Sequence, residues 1–220
     1  MKLTIQVTSD FICPWCRIAE ARLAEVIKAL PEHVEVEVNR LPFELNPDMP
    51  TVGMDREAYR SAKFGSWRYS QQLDAHTEEI AKQDGMTFNY AAMKRVPNTL
   101  AAHRLVWLAA TSNLQATVSE RLFRAYFQDG KDIGDEDMLA DIAAEAGMNR
   151  LKVKAFLAGH EGEAEVIQQE ELARRSKINS VPAFNIGGVR ISGAVSAEVL
   201  HQHIYEAINS QSKSEVKDAR

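Results

Sequence analysis

A chain of 220 residues that is 45% hydrophobic can bury a sizeable core, as one large domain or as a domain carrying an insertion. Its 31 acidic against 26 basic side chains leave a net charge of −5 with no basic block or basic-aromatic stripe, which argues against a nucleic-acid partner. No apolar run reaches the eighteen or so residues needed to span a bilayer, so no membrane partner is expected.

Residues Lys2 to Thr8 alternate apolar and polar side chains and predict a strand. That strand leaves no room for a charged leader, an apolar stretch and a cleavage site, so a cytoplasmic protein is expected. From Pro14 to Leu30 the period changes to helical, with Ile18, Leu23, Val26, Ile27 and Leu30 on one side, and Pro31 stops the helix. His33 to Leu41 alternates again, and a right-handed crossover lays this second strand parallel to the first. After a loop rich in Pro and Asn from Pro42 to Gly53, helices are predicted at about Asp55–Asp84, Asn98–Ser112, Gln115–Phe127, Asp135–Ala146 and Asn149–Ala158. A charged helix follows from Glu161 to Ile178. Ala183–Ile186 and Val189–Ser192 flank Gly187-Gly188 and read as a hairpin, because paired glycines tolerate the positive φ of a tight turn. Ser196 caps a last helix ending near Asn209, and the polar segment from Ser210 to Arg220 reads as a disordered tail.

Strand, helix, strand, helical insertion, helix, hairpin, helix is the order of an α/β thioredoxin-like fold opened by a large all-helical insertion. The expected division is 1–46 for the first half, 47–160 for the insertion, 161–209 for the second half and 210–220 for the tail.

The chemistry lies in the only two cysteines, Cys13-Pro14-Trp15-Cys16, at the junction of the first strand and helix. Their spacing brings both sulfurs together across one helical turn, so the pair can cycle between dithiol and disulfide without opening the fold. Pro14 suits the first helical position, which makes Cys13 the cap. Unpaired backbone N–H groups and the positive end of the helix macrodipole favour a thiolate there, so Cys13 is expected to be the nucleophile. Cys16, one turn deeper, is placed to attack the mixed disulfide and resolve it.

Several segments together resemble the DsbA-family thioredoxin-like proteins, in particular the FrnE-like cytoplasmic subgroup. They are Asp10-Phe11-Ile12-Cys13-Pro14-Trp15-Cys16, Pro97-Asn98-Thr99 with Ala102-His103-Arg104-Leu105, Phe127-Gln128-Asp129-Gly130-Lys131-Asp132-Ile133, Val181-Pro182-Ala183-Phe184 and Ser192-Gly193-Ala194. The resemblance implies dithiol–disulfide exchange with protein or small-molecule thiols, Cys13 attacking and Cys16 resolving. It also implies a cis Pro182 beside the cysteines, with the backbone at Val181 available to a bound substrate chain. Val195 stands where many relatives carry glutamine. The related 2-hydroxychromene-2-carboxylate isomerases use a serine near glutathione, so a glutathione-dependent isomerase or transferase acting on a small aromatic substrate is the alternative.

No tightly bound cofactor is expected, with glutathione a candidate co-substrate. In either reading Asn98, His103 and the loop from Lys63 to Trp67 are candidates to line a small-molecule pocket. Trp15 reads as exposed and available to substrate. Asp10 either relays protons for Cys16 or fixes the turn into the helix. Phe64, Trp67 and Tyr69 form an aromatic wall or pack in a core. No metal site is expected, because no second cysteine pair exists and His201 and His203 point to different helix faces. An exposed face on the insertion is compatible with a homodimer.

Overall fold

The computed structural model of the protein describes residues 2–218. The chain opens with β1 (Lys2–Ser9), α1 (Pro14–Lys28) and β2 (Glu35–Pro42). There follow β3 (Met54–Asp55), α2 (Arg56–Phe64), α3 (Trp67–Gln83), β4 (Arg95–Val96), α4 (Leu100–Ala110), α5 (Gln115–Phe127), α6 (Glu136–Glu145) and α7 (Arg150–Leu157). It closes with α8 (Glu163–Arg175), β5 (Ala183–Ile186), β6 (Val189–Ser192) and α9 (Ala197–Asp218).

Among the described residues, the larger sheet has the order β2-β1-β5-β6, with β1 parallel to β2 and the other pairs antiparallel. Leu3, Ile5 and Val7 alternate onto one face of β1 and are fully buried, while Lys2, Thr4 and Gln6 point the other way and are exposed. The apolar face packs with Ala19, Leu23 and Val26 of α1 and with Leu200 and Ile204 of α9. α8 lies across the opposite face against β2. This is the thioredoxin-like arrangement expected from the element order, with the helical segment inserted between β2 and β5.

A second core joins the start of α1 to that segment. Phe11, Cys13, Cys16 and Ile18 are buried together with Leu105 of α4, Phe123 and Phe127 of α5 and Leu139 of α6. Two polar ties hold α1 in place. Glu20 accepts both Nε and Nη2 of Arg40 on β2 at 3.1 and 2.9 Å. Arg22 donates to Asp84 at 2.8 Å and to the carbonyls of Ala194 and Val195 at 2.9 and 3.2 Å. The contact at position 195 is therefore made by the main chain, whatever the side chain.

The structure corrects three expectations. The single helix predicted over 55–84 is two, because Gly65 turns left-handed at φ 87° to end α2 and Ser66 restarts the chain by accepting the Tyr69 N–H. A small β3–β4 ladder, Met54 to Val96 and Asp55 to Arg95, ties the two ends of that segment together. The last helix, expected to end near Asn209, runs on to Asp218; nothing between Ala197 and Asp218 is a glycine or proline that would stop it. The last two positions of the expected tail, 219 and 220, lie outside the described residues.

Candidate active site

The turn from β1 into α1 is set by Asp10. Its backbone carbonyl accepts the Cys13 N–H at 3.1 Å, and its fully buried carboxylate accepts the N–H groups of Leu45 at 2.7 Å and Ile12 at 3.5 Å. Cys13 is the N-cap of α1 in extended geometry, Pro14 begins the helix, and the Cys13 carbonyl accepts from the N–H of Cys16 at 3.1 Å. Both cysteines are free thiols. Cys13 is 5% exposed and Cys16 0%. Burial foremost, then the hydrogen bond that the Cys16 S–H donates to Cys13 and the charge of Cys13, push the Cys16 thiol well up, so it holds its proton.

From the second half of the chain, the Val181 carbonyl lies 3.7 Å from the Cys13 sulfur and accepts its S–H. The Val181–Pro182 peptide is cis, and the Pro182 carbonyl accepts the Gly193 N–H at 2.8 Å. The cysteines, Val181 and Pro182 are thus gathered at one end of the sheet.

Cys13 faces a cavity of about 320 Å³. Ile12, Pro14 and Trp15 line it on the α1 side, and α2 and α3 supply Tyr59, Phe64, Leu73 and His76. Trp15, read as exposed, is half-buried, its ring edge-on to His76 with centroids 5.8 Å apart. Of the polar side of the cavity, sequence reasoning named Lys63 alone. Asp74 accepts from Arg56 at 2.6 Å and from Arg60 at 2.7 Å, one carboxylate oxygen each. Lys63 donates to Tyr59 Oη at 2.7 Å and to Asn46 at 3.2 Å. The phenols of Tyr90 and Tyr126 complete the wall, and burial pushes both up, keeping them neutral.

Of the loop expected to line this pocket, Lys63 and Phe64 do so, whereas Trp67 lies outside it against the Arg56 guanidinium, 5.4 Å from its ring centre. Tyr69 is half exposed and also lies outside. Asn98 and His103 do not line it either. Asn98 is committed to main chain, donating to the Met49 carbonyl at 2.8 Å and accepting the Leu100 N–H at 2.9 Å. His103 points behind the cysteines, its Nε2 3.6 Å from Asp10, and borders a separate, more polar cavity of about 500 Å³ with Gln6, Asn39 and Gln115.

Behind Asp10 lies a buried acidic group. Glu170 accepts the Glu44 N–H at 2.8 Å, and Arg174 donates to Glu170 at 3.2 Å and to the Glu44 carbonyl at 3.3 Å. Glu44 Oε2 is buried and has no hydrogen-bond partner among the described residues. Burial raises the Glu44 carboxyl from 4.5 to about 7; His103 opposes the rise, Glu170 and Asp10 add to it, and Arg174 opposes it. Unfolded, the group ionises near its ordinary value, so between pH 4.5 and about 7 the folded chain holds a proton that the unfolded chain has lost, and stability falls as pH rises through that window. Glu44→Gln is expected to flatten this slope and to raise stability at pH 8 by on the order of 1 kcal/mol. Urea unfolding at pH 5 and pH 8 measures it, and an unchanged slope refutes the assignment.

The sulfurs, the helix start and the adjoining Val181 loop form a dithiol site. The DSBA-like thioredoxin domain family matches residues 4–205. The chain belongs to this family. It is 30% identical over 207 residues to the uncharacterised protein YwbO of Bacillus subtilis (strain 168), covering 93% of this chain and 96% of YwbO. The probable DsbA oxidoreductase SCO1869 of Streptomyces coelicolor superposes with a TM-score of 0.85 at 27% identity, over 94% of this chain and 90% of that one. The cytosolic disulfide reductase DsbM of Pseudomonas aeruginosa, solved with GSH, gives a TM-score of 0.63 at 19% identity over 97% and 100% of the chains, a likeness of fold. Membership of the DSBA-like family supports thiol–disulfide oxidoreductase chemistry in general.

Proposed function

We propose that this DSBA-like protein is a thiol–disulfide oxidoreductase in which Cys13 attacks a disulfide of a protein or small-molecule substrate and Cys16 resolves the adduct. The observation that carries the reading is the placement of two free thiols one helical turn apart, Cys13 at the cap facing a cavity and Cys16 sealed behind it. The Cys13 sulfur bonds to one substrate sulfur as the other leaves as a thiolate. Cys16 then attacks Cys13 and releases the second, so the substrate gains the two electrons that the dithiol loses.

Timing follows from the electrostatics. The hydrogen bond that Cys16 donates to Cys13 and the charge of Cys13 are among the causes that hold the Cys16 proton in place. Once Cys13 is bonded to substrate it carries neither, and Cys16 becomes easier to ionise when its attack is needed. Pro14 and Trp15 stand on the substrate side, and the Val181 carbonyl is the backbone group within reach of a bound chain. Glutathione is our candidate co-substrate, a choice supported by its presence in the DsbM structure. With both cysteines spent on one motif, a reducing, cytoplasmic setting suits the chain.

Alkylation tests the reading. At neutral pH, iodoacetamide is expected to label Cys13 and spare Cys16 in the reduced protein. Prior treatment with glutathione disulfide is expected to block that label and leave an internal Cys13–Cys16 disulfide detectable by peptide mass. Equal labelling of both thiols, or a lasting glutathione adduct without the internal bond, overturns it.

A further inference from the structure

Resting on the exchange chemistry proposed above, we infer that the disulfide taken at Cys13 is a small molecule with a carboxylate and an aromatic or otherwise apolar body. Size comes first. Cys13 is 5% exposed and opens onto a cavity of about 320 Å³ between α1 and the α2–α3 pair. That volume suits a compact organic ligand. A disulfide in a folded protein brings two main-chain segments with it, and α2 and α3 stand in their way.

The walls select the body. Trp15, Phe64, Leu73 and Phe127 present rings and a branched aliphatic chain, and the Tyr90 and Tyr126 hydroxyls stay neutral. A ring or alkyl body packs against these walls without giving up hydrogen bonds to water.

Charge selects the remaining group. Three cations, Arg56, Arg60 and Lys63, face the cavity against one carboxylate, Asp74. Asp74 is shared by the two arginines, one oxygen to each. Lys63 stands exposed at the rim, and the two partners of its ammonium among the described residues, Tyr59 and Asn46, are neutral. An ammonium has three donors, so one remains for a ligand oxygen, and the net positive charge calls for an anion. In the reaction, Cys13 bonds to one sulfur of this disulfide and expels the other half as a thiolate. Cys16 expels the second half, and the two protons of the dithiol balance the two thiols formed.

The experiment compares activated aromatic disulfides with and without negative charge by stopped flow. Fully reduced protein is mixed with dithiobis(nitrobenzoate), which carries carboxylates, or with dithiodipyridine, which is uncharged; cystamine serves as a cationic probe and insulin as a protein probe. Each rate is divided by that of free dithiothreitol with the same probe, which removes intrinsic reactivity. The normalised rate with the carboxylated probe is expected to exceed that with the uncharged one by about tenfold, with cystamine and insulin slower still. Lys63→Met is expected to lower that ratio by about tenfold, and Lys63→Arg to restore it. A ratio near one in the natural protein, a ratio indifferent to Lys63→Met, or insulin as the fastest normalised substrate overturns this inference while leaving exchange chemistry standing. No thiol release from any probe overturns the exchange chemistry and this inference with it.

Discussion

Cys13→Ser is expected to abolish disulfide exchange, lowering turnover of any disulfide substrate by at least about a thousandfold, because a serine hydroxyl is not ionised near neutral pH and forms no bond of disulfide type. The variant should fold. The cavity at Cys13 is open on one side, a hydroxyl is smaller than a thiol, and the Val181 carbonyl that accepts the Cys13 S–H can accept an O–H instead. Cys16→Ser is expected to behave differently. Its first attack survives and resolution fails, so substrate accumulates on Cys13 as a mixed disulfide that mass spectrometry detects. Turnover retained in Cys13→Ser, or the adduct found on residue 16, rules out the assigned order of attack. Thermal melts of both variants separate loss of chemistry from loss of structure.

The largest expected effect on stability comes from a residue remote from the sulfurs. Arg104 on α4 is 6% exposed and gives its guanidinium entirely to main chain. It donates to the carbonyls of Glu161 at 2.9 Å, Leu157 at 3.2 Å, Phe156 at 3.0 Å and Gly159 at 2.6 Å, and its plane stands 5.1 Å from the centre of the Phe156 ring. The end of α7 leaves its last carbonyls without helical partners, and this one side chain supplies donors to them and to the turn into α8. Arg104→Met keeps the apolar stem and removes every guanidinium donor, so the Phe156 carbonyl keeps the Gly159 N–H at 3.2 Å while the carbonyls of Leu157, Gly159 and Glu161 lose the Arg104 donor. The expected cost is about 3–5 kcal/mol, read as a fall in melting temperature of roughly 10 °C. Arg104→Lys should recover little, because one ammonium cannot fan out to acceptors spread along a helix end. A loss below about 1 kcal/mol would show that water replaces those donors readily.

The parts of this molecule legible in sequence are those with an unbroken local period. β1, α1 and β2 alternate or recur over seven residues or more, and their parallel pairing follows from chain handedness. The dithiol was legible because two cysteines at helical spacing have few other uses. The α2–α3 break was not, since Gly65 inside a helical pattern is tolerable until the chain must turn, and only the packing of α2 against α3 demands the turn. β3 and β4 are too short, at two residues each, to carry a period. The cationic cavity wall had a faint signature. Arg56, Arg60 and Lys63 fall at i, i+4 and i+7 on one helix face, a stripe that ordinarily faces water. What turns it inward is Asp74 on the next helix, a tertiary fact. His103 shows the same limit: its helix was evident, but which of two cavities it borders depends on how α4 docks against Asp10.

The helix bearing the sulfurs belongs to both hydrophobic cores, Ile18 sitting in one and Ala19, Leu23 and Val26 in the other. Neither core can come apart without exposing one side of that rod, and losing the rod strips the other core of its wall. Despite the long intervening stretch of helices, the chain is therefore expected to melt in one all-or-none transition, the reactive sulfur keeping its position for as long as the whole molecule keeps its fold.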